Sequence, residues 1–440
     1  MKLIESVFKN KKFKTFFNKI TQQEYILICI PFIVSLISTK GVSYNPYGFT
    51  FLALSLIIGL GIMYLMGIRW RIIYFGILLF FAIFLIITIG RPWEYALQAD
   101  RDSAIKVGIE AILNGENPHK AKTSLGSAPT PLPFTYILYL PIYLITGGYV
   151  FYMNIIVIAI FSLILFYKFA DSKKDYLVLP IMSFIIFADY YFLEIGMNSD
   201  VINTLLIFSM TLFLIPDIVP EQKIKLKFLK LIPKKPKKID RNILIFAILF
   251  GCILAMRTYF WFIGIIVLIY ILKIYGVKNT FFLSLISIGV FLIWILPFML
   301  QDVHYFIFEN PLGHNADKFS IWRLPGSIEP FGNIILDFLN NYLNYGKFNG
   351  VIITLLIIFI SCILGLIRCE NKFHLFLIIS ICFFIFLFFF FHTYQYPILR
   401  DYISIAAVPF TVSFIYVDME GIKKNKILEE KNISSNENLK

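Results

Sequence analysis

Residues 242–298 read NILIFAILFGCILAMRTYFWFIGIIVLIYILKIYGVKNTFFLSLISIGVFLIWILPF, three apolar runs (242–256, 258–273 and 279–298) parted only by Arg257 and by the Lys273–Lys278 segment. Runs of this kind, from 15 to 21 residues long, approach or match the length of about 20 residues that a helix needs to cross a hydrocarbon core about 30 Å thick. They recur along the whole chain, at 25–39, 47–67, 72–90, 149–168, 176–194, 201–216, 349–367, 372–392 and 400–417. The residues are 59% hydrophobic and 15% charged, with a mean hydropathy of +0.78. A soluble domain carries roughly 25% charged residues, so the pattern predicts an all-α, polytopic membrane protein with about twelve transmembrane helices.

Placement of charge sets the orientation. Twelve crossings leave Arg69 and Arg71, then Lys168, Lys173 and Lys174, then Lys223 to Arg241, Lys273 and Lys278, and Arg368 and Lys372 on one side, together with both termini. That side holds most of the 40 Lys and Arg, which marks it as cytoplasmic. The net charge of +13 therefore reads as orientation and contact with anionic lipid. No basic stripe interleaved with stacking aromatics occurs in a soluble segment, so no nucleic-acid partner is expected. Residues 1–24 form a basic cytoplasmic N-terminus that reads as retained, with no small-residue cleavage site after its apolar run. Residues 25–417 form one transmembrane domain, and 418–440, rich in Lys, Glu, Asn and Ser, form a disordered cytoplasmic tail. The basic 223–241 segment reads as an interfacial loop.

Residues 133–147 (PFTYILYLPIYLITG) are apolar but short, with Pro141 inside. A crossing there would flip every later loop, so the segment is expected as a short helix dipping into the outer leaflet and ended by Gly147 and Gly148. The five cysteines, Cys29, Cys252, Cys362, Cys369 and Cys382, all fall in apolar runs or at a cytoplasmic helix end. They read as small buried hydrophobes without disulfides. No Cys/His spacing suits a metal, and no cofactor is expected from the residues themselves.

Two long loops face outward, 91–148 and 301–350, and loops of that length are usually functional. The first contains EYALQADRDSAIKVGIEAILNGENPHKAKTSLGSAPTPLPFTYILYLP over 94–141. Asp100 and Asp102 precede an amphipathic stretch of Ala104, Val107, Ile109, Ala111, Ile112 and Leu113; Asn114-Gly115 ends it and Asn117-Pro118 turns the chain. A carboxylate there can act as general base on an acceptor hydroxyl or help hold a cation. It can equally cap the helix and match its dipole.

This order of features resembles the first outer loop of the C-type-fold (GT-C) membrane glycosyltransferases, enzymes that use polyprenyl-phosphate sugars. The matching elements are Asp100, the Ala104–Leu113 stretch, Gly115-Glu116-Asn117-Pro118, and Pro129, Pro131 and Pro133 before Tyr136. His119 and the spacing of the prolines depart from the family's usual pattern. The resemblance implies a mannosyltransferase-like enzyme of the cell envelope. It would move a sugar from a polyprenyl-phosphate donor to a lipid, glycan or protein acceptor at the outer face. By position, it makes Asp100 the general base and Asp102 the alternative base or metal ligand, with Mg or Mn as the divalent cation such a site could take.

Further polar groups fall at the same face. Arg257 interrupts two apolar runs, where an unpaired charge is costly; it reads as a donor-phosphate ligand or as a helix-end arginine reaching the interface. Arg400, entering the last apolar run beside Asp401, reads as a partner of that neighbour or as a phosphate ligand. Glu194 and Asp200 flank the turn EIGMNSD and can position sugar hydroxyls or stand solvated. His314 and Trp322 in the second loop suit carbohydrate binding. There is no phosphate loop, no dinucleotide fingerprint and no nucleophile elbow. Two other functions compete: a polymerase or ligase of lipid-linked oligosaccharides, and a lipid or solute transporter. The lack of a sorting signal and the Phe-, Ile-, Lys- and Asn-rich usage point to a prokaryotic cell membrane.

Overall fold

Two helices, Arg101–Leu113 and Pro133–Thr146, lie within the first long loop, joined by a proline-containing segment over 114–132. The computed structural model describes residues 101–124, 126–170, 200–216, 233, 236–309, 311, 372, 374–380 and 382. Regular structure among the described residues is all helical, with no strand. The chain divides into two units, residues 1–93 with 158–196 and residues 94–157 with 197–440. Of the first unit only 158–170 is described, as the latter part of the helix Tyr152–Ala170; the features below belong to the second.

Helix α1 spans Arg101–Leu113. Asp102 lies in its first turn and pairs with Lys106 one turn on, at 2.7 Å, which suits both the dipole and the i,i+4 spacing. It ends in a Schellman motif: Glu116 N–H donates to Ala111 O and Gly115 N–H to Ile112 O, with Gly115 at φ 74°. The Asn114-Gly115 stop is thus where the sequence places it. The buried face is Ala104, Ile105, Gly108, Ile109 and Ala111, while Leu113 is 51% exposed. That face is narrower and built of smaller residues than the expected stripe. A Cβ on Gly108 would sit 2.3 Å from the Tyr136 ring, so the two elements meet backbone to aromatic face.

A single 3-10 turn, Pro118–Lys120, follows, capped by the Asn117 side chain accepting from His119 N–H. Helix α2 runs over Pro133–Thr146, with Pro133 in the first turn and Gly147 at φ 68° ending it. Helix α3 is Tyr152–Ala170 and α4 is Asp200–Leu212. Helix α5, Arg241–Leu254, is capped by Asp240 Oδ1, which accepts from Ile243 N–H at 3.0 Å.

Helix α6 occupies Tyr259–Met299 but breaks at Gly276, φ 72° and ψ 174°, a backbone region open essentially to glycine. The rings of Trp261 and Phe291 are 5.6 Å apart, whereas a straight helix would separate those residues by about 45 Å. The stretch therefore folds back on itself at Gly276, between the apolar runs 258–273 and 279–298. Pro236 packs at the reversal, and Asn279 Nδ2 donates to Lys237 O at 3.1 Å. Both arms lie against α5. Ser287 Oγ donates to Ala247 O at 2.8 Å, and a Cβ on Gly251 would meet Ser287 O at 2.5 Å. Close approach of this kind multiplies dispersion contacts. Aromatic rings fill the rest, with Phe208 against Phe260 at 5.0 Å and Phe246 stacked on Phe250 at 5.3 Å.

One described stretch, Ile263–Met299, is long and apolar enough by length and composition to cross a membrane; Pro133–Thr146, Tyr152–Tyr167, Asn203–Leu212 and Arg241–Leu254 are shorter apolar helices. The apolar runs before residue 91 and those at 176–194, 349–367 and 400–417 lie outside the described residues, as do the N-terminal segment and the tail.

Candidate functional site

The proline segment 129–135 docks end-on against the α5–α6 turn. Leu132 N–H donates to Met256 O at 2.9 Å and Phe134 N–H to Ala255 O at 3.1 Å; Thr135 Oγ1 donates to Met256 O at 3.1 Å. The first N–H groups of one helix and the last carbonyls just past another both lack intrahelical partners. Here they satisfy each other, positive dipole end to negative. Leu132, Ala255, Ile295 and Phe306 form the apolar cluster beneath, flanked by Phe134, Trp261 and Trp294.

Arg257 sits at this junction. Its Nε donates to Asp200 Oδ2 at 2.7 Å and its Nη2 to Asp200 Oδ1, a two-pronged pair, while Nη1 donates to Thr130 Oγ1 at 3.1 Å. The side chains are 16% and 2% exposed. Three elements converge on one guanidinium: the start of α4, the α5–α6 turn, and the proline segment of the first loop. Asp200, read from sequence as a carboxylate of an outer turn, is buried instead. Its partner explains how Arg257 is accommodated between two apolar runs, since a buried guanidinium needs a carboxylate in good geometry.

A layer of uncharged polar side chains lies beside the pair. Asn203, on α4 one turn after Asp200, donates from Nδ2 to Tyr139 Oη on α2 and to Asn154 Oδ1 on α3; all three residues are buried. Asn203 Oδ1 meets no hydrogen-bond partner among the described residues. Thr204 Oγ1 donates to Asp200 O at 2.7 Å. Tyr136 Oη donates to Pro131 O at 3.1 Å, and Tyr143 Oη to Glu110 Oε1 at 2.8 Å, so α1 rides on α2.

The start of the second long loop closes against the first. Lys120 Nζ reaches Asp302 Oδ2 at 2.7 Å and lies over the Tyr305 ring, 5.3 Å from its centre. Tyr305 Oη donates to His119 O at 3.0 Å, and Asn117 Nδ2 donates to Phe298 O at 3.2 Å. Lys120, with the Tyr305 N–H that Asp302 Oδ1 also accepts, holds the Asp302 carboxyl below its ordinary pKa. His119 is fully buried, edge-on to Phe306 at 5.3 Å and to Tyr136 at 6.0 Å. Burial lowers its pKa from 6.5 to about 4, against a smaller upward pull from Pro129 O. At neutral pH it is an uncharged packing residue.

Of the residues the sequence nominates, Arg257 and Asp200 are therefore brought together, while Asp102 lies in the first turn of α1 and pairs with Lys106. Asp100, Glu194, His314, Trp322 and Arg400 lie outside the described residues. Sequence reasoning passed over Thr130, Tyr139, Asn154 and Asn203. The two asparagines carried a signal, since each is an amide within an apolar run, where a polar group needs a partner. Among the described residues no group of His, Cys, Asp and Glu is arranged to hold a metal. Comparison with protein-family models, with curated proteins and with solved structures finds no match to the chain.

Proposed function

We propose that this chain is a polytopic membrane glycosyltransferase of the C-type fold. It would have about twelve crossings and would transfer a sugar from a polyprenyl-phosphate donor at the outer face. The observation that carries the reading is the docking of the first loop. Helix α1, the Asn117-Pro118 turn and the proline segment follow in the order of the resemblance. They are pinned by Thr130 and Arg257 to the buried carboxylate of Asp200, beside the Tyr139–Asn203–Asn154 layer. Burying charge and amide together at the ends of apolar helices is costly, and within a membrane protein such groups mark functional sites.

In the reaction, the acceptor hydroxyl gives its proton to the Asp100 carboxylate as its oxygen attacks the anomeric carbon. The bond from that carbon to the phosphate oxygen breaks, and polyprenyl phosphate leaves with inversion. Asp102, in the first turn of α1 and paired with Lys106, is the reserve base. Arg400 is the phosphate ligand, because Arg257 is committed to Asp200 and Thr130, and pulling it away would strand a buried carboxylate at a cost of several kcal/mol. A fixed base and a fixed cation are what such a step requires.

The test is transfer from radiolabelled polyprenyl-phosphate sugars by purified protein in detergent, wild type against Asp100→Asn. The wild type should turn over at least one such donor, and the variant should lose roughly 100-fold or more. Turnover only of a lipid-pyrophosphate oligosaccharide would instead make the protein a polymerase or ligase. A well-folded wild type that uses neither would return weight to a transporter. Full activity in Asp100→Asn would overturn the base assignment.

A further inference from the structure

We infer that Thr130 and Tyr136 are positioning residues, which transmit the fixed geometry of the Asp200–Arg257 pair to helix α1 and so to Asp102 in its first turn. The chain of contacts is continuous. Arg257, held by both oxygens of Asp200, donates to Thr130 Oγ1 at 3.1 Å. The next residue, Pro131, accepts from Tyr136 Oη at 3.1 Å. The Tyr136 ring is fully buried and fills the space left by the missing side chain of Gly108, where a Cβ would stand 2.3 Å from the ring. Gly108 is in the middle of α1, whose first turn holds Asp102.

Each link is short and stiff. A guanidinium gripped by a carboxylate through two parallel bonds has a defined plane. Proline fixes the φ of the residue whose carbonyl anchors the tyrosine. An aromatic ring pinned at its hydroxyl and walled by a glycine backbone leaves the helix above it no lateral play. The remaining ties of α1 are softer: Tyr143 to Glu110 is an exposed pair, and Ser124 N–H to Ser103 Oγ is an exposed loop contact. Ile105 and Ile109 are buried on the same face, but apolar packing can slide, whereas the Tyr136 ring is held at its hydroxyl and so governs the orientation of α1.

Thr130→Val and Tyr136→Phe test this without opening a cavity or stranding the Asp200–Arg257 pair. Hydrogen–deuterium exchange on the full-length protein in detergent is read on peptides covering 101–113, with peptides covering 241–254 as the internal control. Both variants should exchange about tenfold faster over 101–113, close to 1.4 kcal/mol of local opening, with 241–254 unchanged. Unchanged exchange over 101–113 in both variants would overturn the inference. So would an equal rise in both regions, because that is global loosening.

The catalytic consequence rests on the transferase reading above. Both variants should lower kcat severalfold at unaltered donor KM, since the carboxylate is misplaced while donor binding is intact. A wild type that transfers no sugar would sink that reading and leave the exchange result to decide the positioning by itself. Active variants with normal kcat despite faster exchange would show that α1 does not carry the base.

Discussion

Asp200 and Arg257, 57 residues apart, meet through two parallel hydrogen bonds with the carboxylate 2% and the guanidinium 16% exposed. Each neutralises the other in a place where neither is tolerable alone. Removing one partner from a buried pair typically costs about 3–5 kcal/mol, while replacing both by apolar residues is often near neutral. Arg257→Met and Asp200→Leu should each lower the melting temperature in detergent markedly, and the double variant should melt nearer to wild type than either single one. Independent, additive losses would show that the two side chains do not act as a pair.

His119 gives a pH signature. Its folded pKa of about 4 lies below the ordinary 6.5, so the unfolded chain binds the proton more readily between those values. The group's stabilising contribution is therefore fully present above about pH 6.5 and is lost progressively as pH falls towards 4. The full shift is worth roughly 3 kcal/mol. His119→Phe should flatten the pH dependence of melting in that window. Parallel curves for the two proteins would mean that His119 is solvated rather than buried.

Asp302 behaves as the opposite kind of group. Lys120 and the Tyr305 N–H hold its carboxyl below the ordinary carboxylate pKa. Its contribution is present above the unfolded carboxylate pKa and vanishes as pH drops through the lowered folded value. Asp302→Asn should melt below wild type at pH 7, with the gap closing in acid. Because Lys120 and Asp302 are 49% and 33% exposed, about 1 M salt should also narrow the gap. A gap insensitive to both pH and salt would leave only the Tyr305 N–H bond to Oδ1 as its origin.

Two glycines of α6 should respond in opposite directions. Gly276 has φ 72° and Pro236 in the way of a Cβ at 3.3 Å, whereas a Cβ on Gly289 meets nothing within 4 Å. Gly276→Ala should cost about 1–3 kcal/mol, because the reversal between the two arms needs that backbone. Gly289→Ala should be neutral or stabilising by up to about 1 kcal/mol. Equal melting temperatures for the two variants would argue that the stretch does not fold back at Gly276.

Local signals were legible in the sequence. Asn114-Gly115 stops α1, Asn117-Pro118 turns the chain, and Gly147 ends the Pro133–Thr146 helix, because each depends on the φ preference or side-chain reach of a residue at that spot. The Lys273–Lys278 interval between apolar runs likewise contains the reversal at Gly276. What could not be read was which distant groups meet. Asp200 and Arg257 were each singled out, yet their pairing depends on how α4 packs against the α5–α6 turn, and nothing within either segment encodes the other's position. The role of Thr130 was invisible for the same reason: a threonine between two prolines looks like loop chemistry until the guanidinium beside it is placed. The face of α1 was misjudged at Leu113 because hydrophobicity alone does not reveal that Gly108 is the point of closest contact.

The end-on joint between α2 and the α5–α6 turn bears on how the chain is made. Synthesis runs from the N-terminus, so Thr135 leaves the ribosome 121 residues ahead of Met256, the group it will donate to. Throughout that interval the Leu132 and Phe134 N–H groups and the Thr135 hydroxyl lack the carbonyls they meet in the fold, and solvent must satisfy them. The joint can close only when α5 has been delivered and its last carbonyls are presented. Docking of the first loop is thereby timed to the synthesis of α5, and a chain stalled before residue 256 holds α2 without its seat.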